Sequence, residues 1–177
     1  RCLGSSACPA QRAQLLLHYA SRKAMNIQGL GDALAESLVS HDLVKTVADL
    51  YSLKPEHLTE ALNYSPKLAK KLVAEIEKKR SVPLQNLLYA LGIRGVGEGT
   101  AKRLAKHYRS LKAFMNAYES ELMSIDDIGP TTTAWILEWV LNSHNVEMVE
   151  QLLEDGVNGY REEKNTGKLD GMSFCTT

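Results

Sequence analysis

A short pattern of two glycines flanking one apolar residue recurs along this chain at a nearly constant interval. Clear copies are Ile27-Gln28-Gly29-Leu30-Gly31 and Ile93-Arg94-Gly95-Val96-Gly97. In Ile125-Asp126-Asp127-Ile128-Gly129 an aspartate replaces the first glycine. Ala61-Leu62-Asn63-Tyr64-Ser65 is a degraded copy, in which the asparagine still tolerates a positive φ. The patterns end at positions 31, 65, 97 and 129, so the steps are 34, 32 and 32 residues. A period this regular indicates an internal repeat.

Each copy lies between two stretches in which apolar residues have helical spacing. Before the third copy, residues 84–91 have an apolar helical face, and after it Ala101, Leu104 and Ala105 continue at helical spacing. The unit is therefore predicted to be a helix, a tight hairpin and a second helix. One such unit cannot bury its apolar face alone. We therefore predict an all-α fold of four tandem helix-hairpin-helix motifs, packed as two pairs around one core.

The glycine hairpins are also predicted to bind phosphate. Backbone N–H groups at a glycine turn beside a helix N-terminus form a cradle for an anion, and nearby cations add charge. The predicted DNA-binding residues are Gly29, Gly31, Gly95, Gly97, Gly129, Arg22, Lys23, Arg94, Lys102 and Arg103. For Arg22 and Lys23 the alternative is a pair of solvated charges at a helix C-terminus, which the helix dipole also favours. Contacts of this kind position a duplex without reading its bases.

The distribution of charge singles out the third repeat. The net charge is zero, but residues 94–112 contain six basic residues and one acid, whereas residues 113–160 contain nine acids and no lysine or arginine. Repeat three, with intact glycines and basic residues, is the predicted DNA contact, and repeat two, without glycines, is predicted to pack. In repeat four, Asp126 and Asp127 should repel phosphate. Trp135 and Trp139, four residues apart in its second helix, are predicted to pack in the core rather than stack on bases.

At two of the hairpins the sequence resembles the bacterial NAD-dependent DNA ligases. The resemblance is carried by Arg22-Lys23-Ala24-Met25-Asn26-Ile27-Gln28-Gly29-Leu30-Gly31 and by Leu88-Tyr89-Ala90-Leu91-Gly92-Ile93-Arg94-Gly95-Val96-Gly97. It implies a C-terminal fragment with the second half of a zinc finger at 1–12, the helix-hairpin-helix DNA-binding domain at 13–157, and a linker with the truncated start of a BRCT domain at 158–177.

The same resemblance implies the metal and the activity. Cys2 and Cys8 match the third and fourth zinc ligands of the family. On the residues alone they are half of a metal site at most, because structural zinc needs four ligands, and two free cysteines are the alternative. The intact parent is expected to hold zinc and to seal nicks between 5′-phosphate and 3′-hydroxyl ends in replication and repair. It would use NAD in an adenylation domain outside this chain.

Little in the chain itself indicates catalysis. The five histidines are scattered, and no Ser/His/Asp set or carboxylate pair is identified, so the fragment is expected to be inactive alone. Three cysteines, an odd number, favour a reducing compartment, and no apolar run approaches a membrane span. We therefore expect a cytoplasmic bacterial protein, monomeric, that binds nicked double-stranded DNA together with other domains of the same ligase chain, and no membrane.

Two other functions are compatible with tandem hairpins. The first is a DNA-binding subunit of another repair or recombination protein, such as the partner of a structure-specific nuclease. It leaves Cys2, Cys8 and the C-terminal segment unexplained. The second is a helical-repeat scaffold for protein interactions. The tetratricopeptide repeat has the same period, but its tryptophan, glycine and tyrosine signature is missing here, and a scaffold does not need the glycine pattern.

Overall fold

The computed structural model of the protein describes residues 8–160. Cys2 and residues 161–177, most of the predicted linker and BRCT start, lie outside the described residues. The described chain is helical and contains no strand, so the all-α prediction is confirmed. The α-helices are α1 Pro9–Ala20, α2 Asp32–Ser40, α3 Pro55–Leu62, α4 Pro66–Lys78, α5 Leu84–Ala90, α6 Glu98–His107, α7 Leu111–Phe114, α8 Glu119–Met123, α9 Pro130–Leu141 and α10 Ser143–Glu154.

The four predicted motifs are present as helix pairs. They are α1 with α2, α3 with α4, α5 with α6, and α8 with α9, and we call them repeats one to four. Helix α1 starts at Pro9, within the segment that the resemblance assigns to the zinc finger, and ends at Ala20. Val47–Ser52 is a 3₁₀ helix, whose start is fixed by Asp49: Oδ2 accepts from the N–H groups of Lys45 and Thr46, both at 2.8 Å.

All four hairpins have the same backbone conformation. The residue two before the second helix's N-cap has a positive φ in each repeat: Gly29 at 93°, Asn63 at 54°, Gly95 at 77° and Asp127 at 59°. The N-cap itself is extended or nearly so in each repeat, and the four N-caps are Gly31, Ser65, Gly97 and Gly129. The degraded second copy therefore keeps the turn that the others make with glycine. This confirms the repeat, since asparagine and aspartate are the residues that best tolerate this conformation after glycine.

One continuous hydrophobic core joins the repeats. Each repeat contributes fully buried side chains to it, for example Leu16, Leu58, Leu104 and Ile136. Burying one such side chain is worth roughly 1.5–3 kcal/mol. The 3₁₀ helix lies against α1, α4 and α10. Thus no repeat carries a separate core, as the predicted mutual packing requires.

Repeats one and three lie directly side by side. Helix α1 packs on α5, and the contact includes hydrogen bonds between the two repeats. His18 Nε2 donates to the carbonyl of Tyr89 at 2.7 Å. The amide of Asn86 donates to the carbonyls of Lys23 and Ala24 in the turn after α1, both at 3.2 Å. The turn that carries Lys23 is therefore fixed against the first helix of repeat three.

The end of the described chain returns to the start of repeat three. Tyr160 N–H donates to the carbonyl of Val82 at 2.8 Å, and the N–H of Leu84 donates to the carbonyl of Tyr160 at 2.7 Å. Residues 158–160, predicted to lie in the linker, are thus packed against the helical domain. Arg80, at the end of repeat two, links the 3₁₀ helix to the end of α10: its guanidinium donates to the carbonyls of Tyr51 and Asp155.

Candidate nucleic-acid interface

In hairpins one and three, the fold requires the first glycine but not the second. Gly29 and Gly95 have φ of 93° and 77°, a conformation that strains residues with a Cβ. Gly31 and Gly97 are extended, and a Cβ built on either of them meets nothing within 4 Å. The fold itself would therefore accept a side chain at the second position, as Ser65 shows in repeat two. A glycine without a folding reason is expected where another molecule's backbone comes close.

The first turn of the following helix supplies hydrogen-bond donors at this position. In repeats one and three the N-cap carbonyl accepts the first intrahelical bond, from Ala35 to Gly31 at 2.9 Å and from Ala101 to Gly97 at 2.8 Å. The N–H groups of residues 32–34 and 98–100 come before that bond, and no side chain caps either helix. Such amides, with the positive end of the helix dipole, favour a bound anion.

Repeats two and four lack part of this donor set. Their second helices begin with Pro66 and Pro130, which have no N–H at the first helical position. Gly129 has the same open surroundings as Gly31 and Gly97. Even so, repeat four offers one donor fewer than repeats one and three. Asp126 and Asp127 already distinguish repeat four in the sequence, and Pro130 is a second difference at the same hairpin.

Lys23 and Lys102 lie together in a cleft between repeats one and three. The cleft has a volume of about 150 Å³ and is lined by Lys23, Gln85, Asn86, Tyr89, Glu98 and Lys102. Lys23 Nζ donates to Glu98 Oε1 at 2.6 Å. This hydrogen bond and the nearby carboxylate raise the pKa of Lys23, so its amine remains charged at physiological pH. Lys23 was predicted to be either a phosphate-binding cation or a solvated charge at a helix C-terminus. The structure shows that its side chain is exposed and paired with Glu98, which does not decide between the two.

Arg94 stacks on a tryptophan of repeat four. Its guanidinium lies 4.3 Å from the centre of the Trp135 ring. The same ring covers Gly95, where an added Cβ would lie 2.6 Å from Trp135 Cε3. Trp139 is half-buried against the core, as predicted. For Trp135 the prediction of core packing was wrong, because this half-buried ring packs on hairpin three and orients Arg94.

Arg103 reaches the hairpin of repeat four. Its guanidinium forms an ion pair with the carboxylate of Asp127, the positive-φ residue of that hairpin. Asp127 was expected to repel phosphate, and the structure adds that it holds a cation of repeat three. Arg22 is exposed in the turn after α1, beside Lys23. Two predicted cations reach the first turn of α6: a Cβ built on Gly99 would lie 3.5 Å from Arg103 Nη1, and Lys23, from the turn that leads to hairpin one, pairs with Glu98.

The next question is whether the described residues could hold a metal. Residues 8–160 contain no group of three or more histidine, cysteine or acidic side chains that could hold a metal. Cys8 lies at the N-cap of α1, and the predicted zinc ligand Cys2 is outside the described residues, so the zinc site stays a prediction.

A cavity of about 410 Å³ lies between repeats one, three and four, and both tryptophans line it. No helix within 8–160 has the length and apolarity needed to cross a membrane.

Two helix-hairpin-helix families match the chain. The family described as "SAM-like Helix-hairpin-helix tandem" matches residues 21–78, which cover the hairpins of repeats one and two. The family described as "Helix-hairpin-helix motif" matches residues 86–149, which cover those of repeats three and four. The chain therefore contains tandem helix-hairpin-helix motifs, and the two matches together cover all four hairpins.

The chain is also similar over its whole length to curated bacterial proteins named DNA ligase. It is 42% identical over 179 residues to that of Methylococcus capsulatus, of which it covers 27%. It is 42% identical over 178 residues to that of Acidobacterium capsulatum, of which it covers 26%. It is 40% identical over 179 residues to that of Saccharophagus degradans, of which it covers 27%. The chain thus spans about a quarter of the length of these relatives.

Proposed function

We propose that this chain is the helix-hairpin-helix, duplex-DNA-binding part of a DNA ligase. Its similarity to a quarter of each ligase relative supports the assignment to a ligase. The paired helix-hairpin-helix matches support the binding role. The observation that carries the proposal is the pair of exposed N-cap glycines, Gly31 and Gly97, each of which begins a helix that no side chain caps.

The chemistry of these hairpins fits a phosphate backbone rather than base edges. Backbone amides and helix N-termini recognise the charge and shape of a phosphate, which every nucleotide carries. Lys23 and Lys102 lie in the cleft beside the first turn of α6 and add positive charge there. Binding by these groups is therefore independent of sequence. Repeats one and three would make the main contacts, and repeat four a weaker one through Gly129.

In the parent protein this domain would hold a nicked duplex while a 5′-phosphate is joined to a 3′-hydroxyl. The use of NAD, the zinc finger completed by Cys2 and Cys8, and a following BRCT domain remain parts of the proposal that rest on the family resemblance. So do the monomeric state and the cytoplasmic location. Together they describe a chain that works with the other domains of the same ligase and has no activity of its own.

The chain contains one literal Lys-x-Asp-Gly sequence, Lys168-Leu169-Asp170-Gly171, the pattern with which this family takes AMP from NAD. It lies outside the described residues, in the segment that resembles the start of a BRCT domain. A three-letter pattern is weak evidence without a nucleotide pocket around it. We therefore keep the proposal that adenylation belongs to another domain, and an NAD-labelling test of Lys168 is given below.

Fluorescence anisotropy of a labelled nicked duplex, titrated at several salt concentrations, tests the proposal. If roughly 4–6 phosphates are neutralised, log K should fall with log salt at a slope of roughly −4 to −5. Lys102→Gln should weaken binding and lower the slope by about one. Lys70→Gln is the matched control, because Lys70 is an exposed lysine on α4 of repeat two. Absence of binding at low salt by a folded protein would overturn the proposal and favour the scaffold alternative.

A further inference from the structure

A carboxylate of the protein itself lies in the cleft beside the first turn of α6. Glu98 is the first residue of α6, directly after the open glycine Gly97. Its Oε1 accepts from Lys23 Nζ at 2.6 Å, across the boundary between repeats one and three. A carboxylate and a phosphate seek the same partners, namely a lysine amine and the positive end of a helix. Glu98 therefore lies where the proposed function would place a DNA phosphate.

We infer that Glu98 is an intramolecular stand-in for a DNA phosphate, which holds Lys23 in the free protein and gives it up when duplex DNA binds. The inference rests on the proposed function. It makes Glu98 a residue that determines affinity: Lys23 is positioned before binding, but its charge is already neutralised, so binding is weaker and less dependent on salt than the lysine content suggests.

The geometry favours an exchange rather than a permanent pair. Both side chains are more than half exposed, and ion pairs in such surroundings contribute little to stability and are screened by salt. The backbone on either side is fixed independently of the pair. Asn86 holds the carbonyls of Lys23 and Ala24, and α6 is packed against α5. Lys23 can therefore leave Glu98 for a phosphate without any change in the fold.

A second ion pair involves α6, in this case through a cation of the helix. The guanidinium of Arg103 is held by Asp127, and this aspartate occupies the hairpin position that is glycine in repeats one and three. Each of the two ion pairs thus joins a predicted DNA-binding cation to a carboxylate of another repeat. The same exchange is expected for Arg103.

The test compares Glu98→Gln with the wild type in the anisotropy titration on nicked duplex. Freeing Lys23 for one direct contact with a phosphate should tighten binding about fivefold at low salt. The slope of log K against log salt should become steeper by about one, because one more cation is available for phosphate. In a Lys23→Gln background the gain should fall to the level of plain charge repulsion, since Glu98 then has no cation to release.

Asp32→Asn provides the matched control. Asp32 is the first residue of α2, as Glu98 is of α6, but it forms no ion pair within residues 8–160, to judge from the pairs found there. Its effect measures plain charge repulsion and should be the same with and without Lys23. An equal gain for Glu98→Gln in both backgrounds would overturn the stand-in role and leave only repulsion.

The results also separate this inference from the proposed function. Wild-type binding with a clear salt slope, but no change in Glu98→Gln, would refute the stand-in role and leave DNA binding intact. Failure of both proteins to bind at low salt would refute both. Binding by Glu98→Gln alone would support the stand-in role strongly, since the carboxylate would then close the site by itself. Circular dichroism of each variant confirms that it is folded.

Discussion

Replacing each glycine of hairpin three by alanine should separate folding from DNA binding. At Gly95 the new Cβ meets two obstacles. The φ of 77° is unfavourable for alanine, at about 1–2 kcal/mol. The Cβ would also lie 2.6 Å from Trp135 Cε3, and forcing a packed ring aside typically costs about 1–3 kcal/mol. Gly95→Ala should therefore lose about 2–5 kcal/mol, a large part of the roughly 5–15 kcal/mol that stabilises a domain.

At Gly97 the same methyl group should leave stability almost unchanged. The backbone there is extended and a Cβ meets nothing within 4 Å. Alanine is a poorer N-cap than glycine, which costs free energy of folding. Alanine also lowers the entropy of the unfolded chain, which stabilises the fold by a similar free energy. The net change in the free energy of unfolding should therefore stay within about 0.5 kcal/mol. The methyl group would, however, stand between a phosphate and the first amides of α6. DNA affinity should fall at least about tenfold, which corresponds to about 1.4 kcal/mol.

Urea unfolding followed by circular dichroism gives the stability of each variant, and anisotropy on nicked duplex gives its affinity. Ser65→Ala, at the equivalent N-cap of repeat two, is the control and should leave affinity unchanged. If Gly97→Ala bound DNA as tightly as the wild type, no phosphate would come close to this hairpin, and the central step of the proposal would be refuted. Wild-type stability of Gly95→Ala would refute the assigned contact with Trp135.

Three further predictions concern stability and chemistry. Burial raises the pKa of Tyr51 to about 12, so its neutral form stabilises the fold fully below the ordinary pKa of about 10. Between pH 10 and 12 the free energy of unfolding should fall by up to roughly 3 kcal/mol. A free energy of unfolding in urea that is constant from pH 9 to 11 would contradict this. Arg80→Met removes the bonds to the carbonyls of Tyr51 and Asp155 and should lower the free energy of unfolding by about 2 kcal/mol, whereas the exposed control Arg109→Met should change it little. Incubation with adenylate-labelled NAD should leave no label on this chain, and label that is lost in Lys168→Ala would show that Lys168 is adenylated after all.

The hairpins can be located from the sequence because their conformation is decided locally. A positive φ admits few residue types, so Gly29, Asn63, Gly95 and Asp127 mark the turn regardless of what packs around it. The N-caps follow two residues later in each repeat. Helical spacing of apolar residues then fixes which elements flank each turn. Local conformation and periodicity were therefore sufficient for the fold class, the number of motifs and the position of every hairpin.

The partners of the predicted cations could not be found in this way, because they come from distant parts of the chain. Lys23 pairs with Glu98, 75 residues away, and Arg103 with Asp127, 24 residues away. Arg94 is oriented by Trp135, a ring that the local pattern assigned to the core. These pairings depend on how the repeats pack, and no periodicity within one repeat contains that information.

The zero net charge of the chain is consistent with DNA binding once these pairings are considered. An anion-binding hairpin needs positive potential within about a Debye length, roughly 8 Å in physiological salt, rather than over the whole molecule. Lys23 reaches the first turn of α6 through Glu98, and Lys102 and Arg103 follow on the same helix, while the acids of residues 113–160 lie mainly on α8 to α10. Within residues 8–160, Glu98 and Asp127 are the carboxylates that form ion pairs with these cations. If the acids of α8 to α10 limited binding, neutralising Glu147 and Glu150 on α10 would raise affinity as much as Glu98→Gln does; we expect their effect to be several times smaller, because screening falls on distant charges and not on contact pairs.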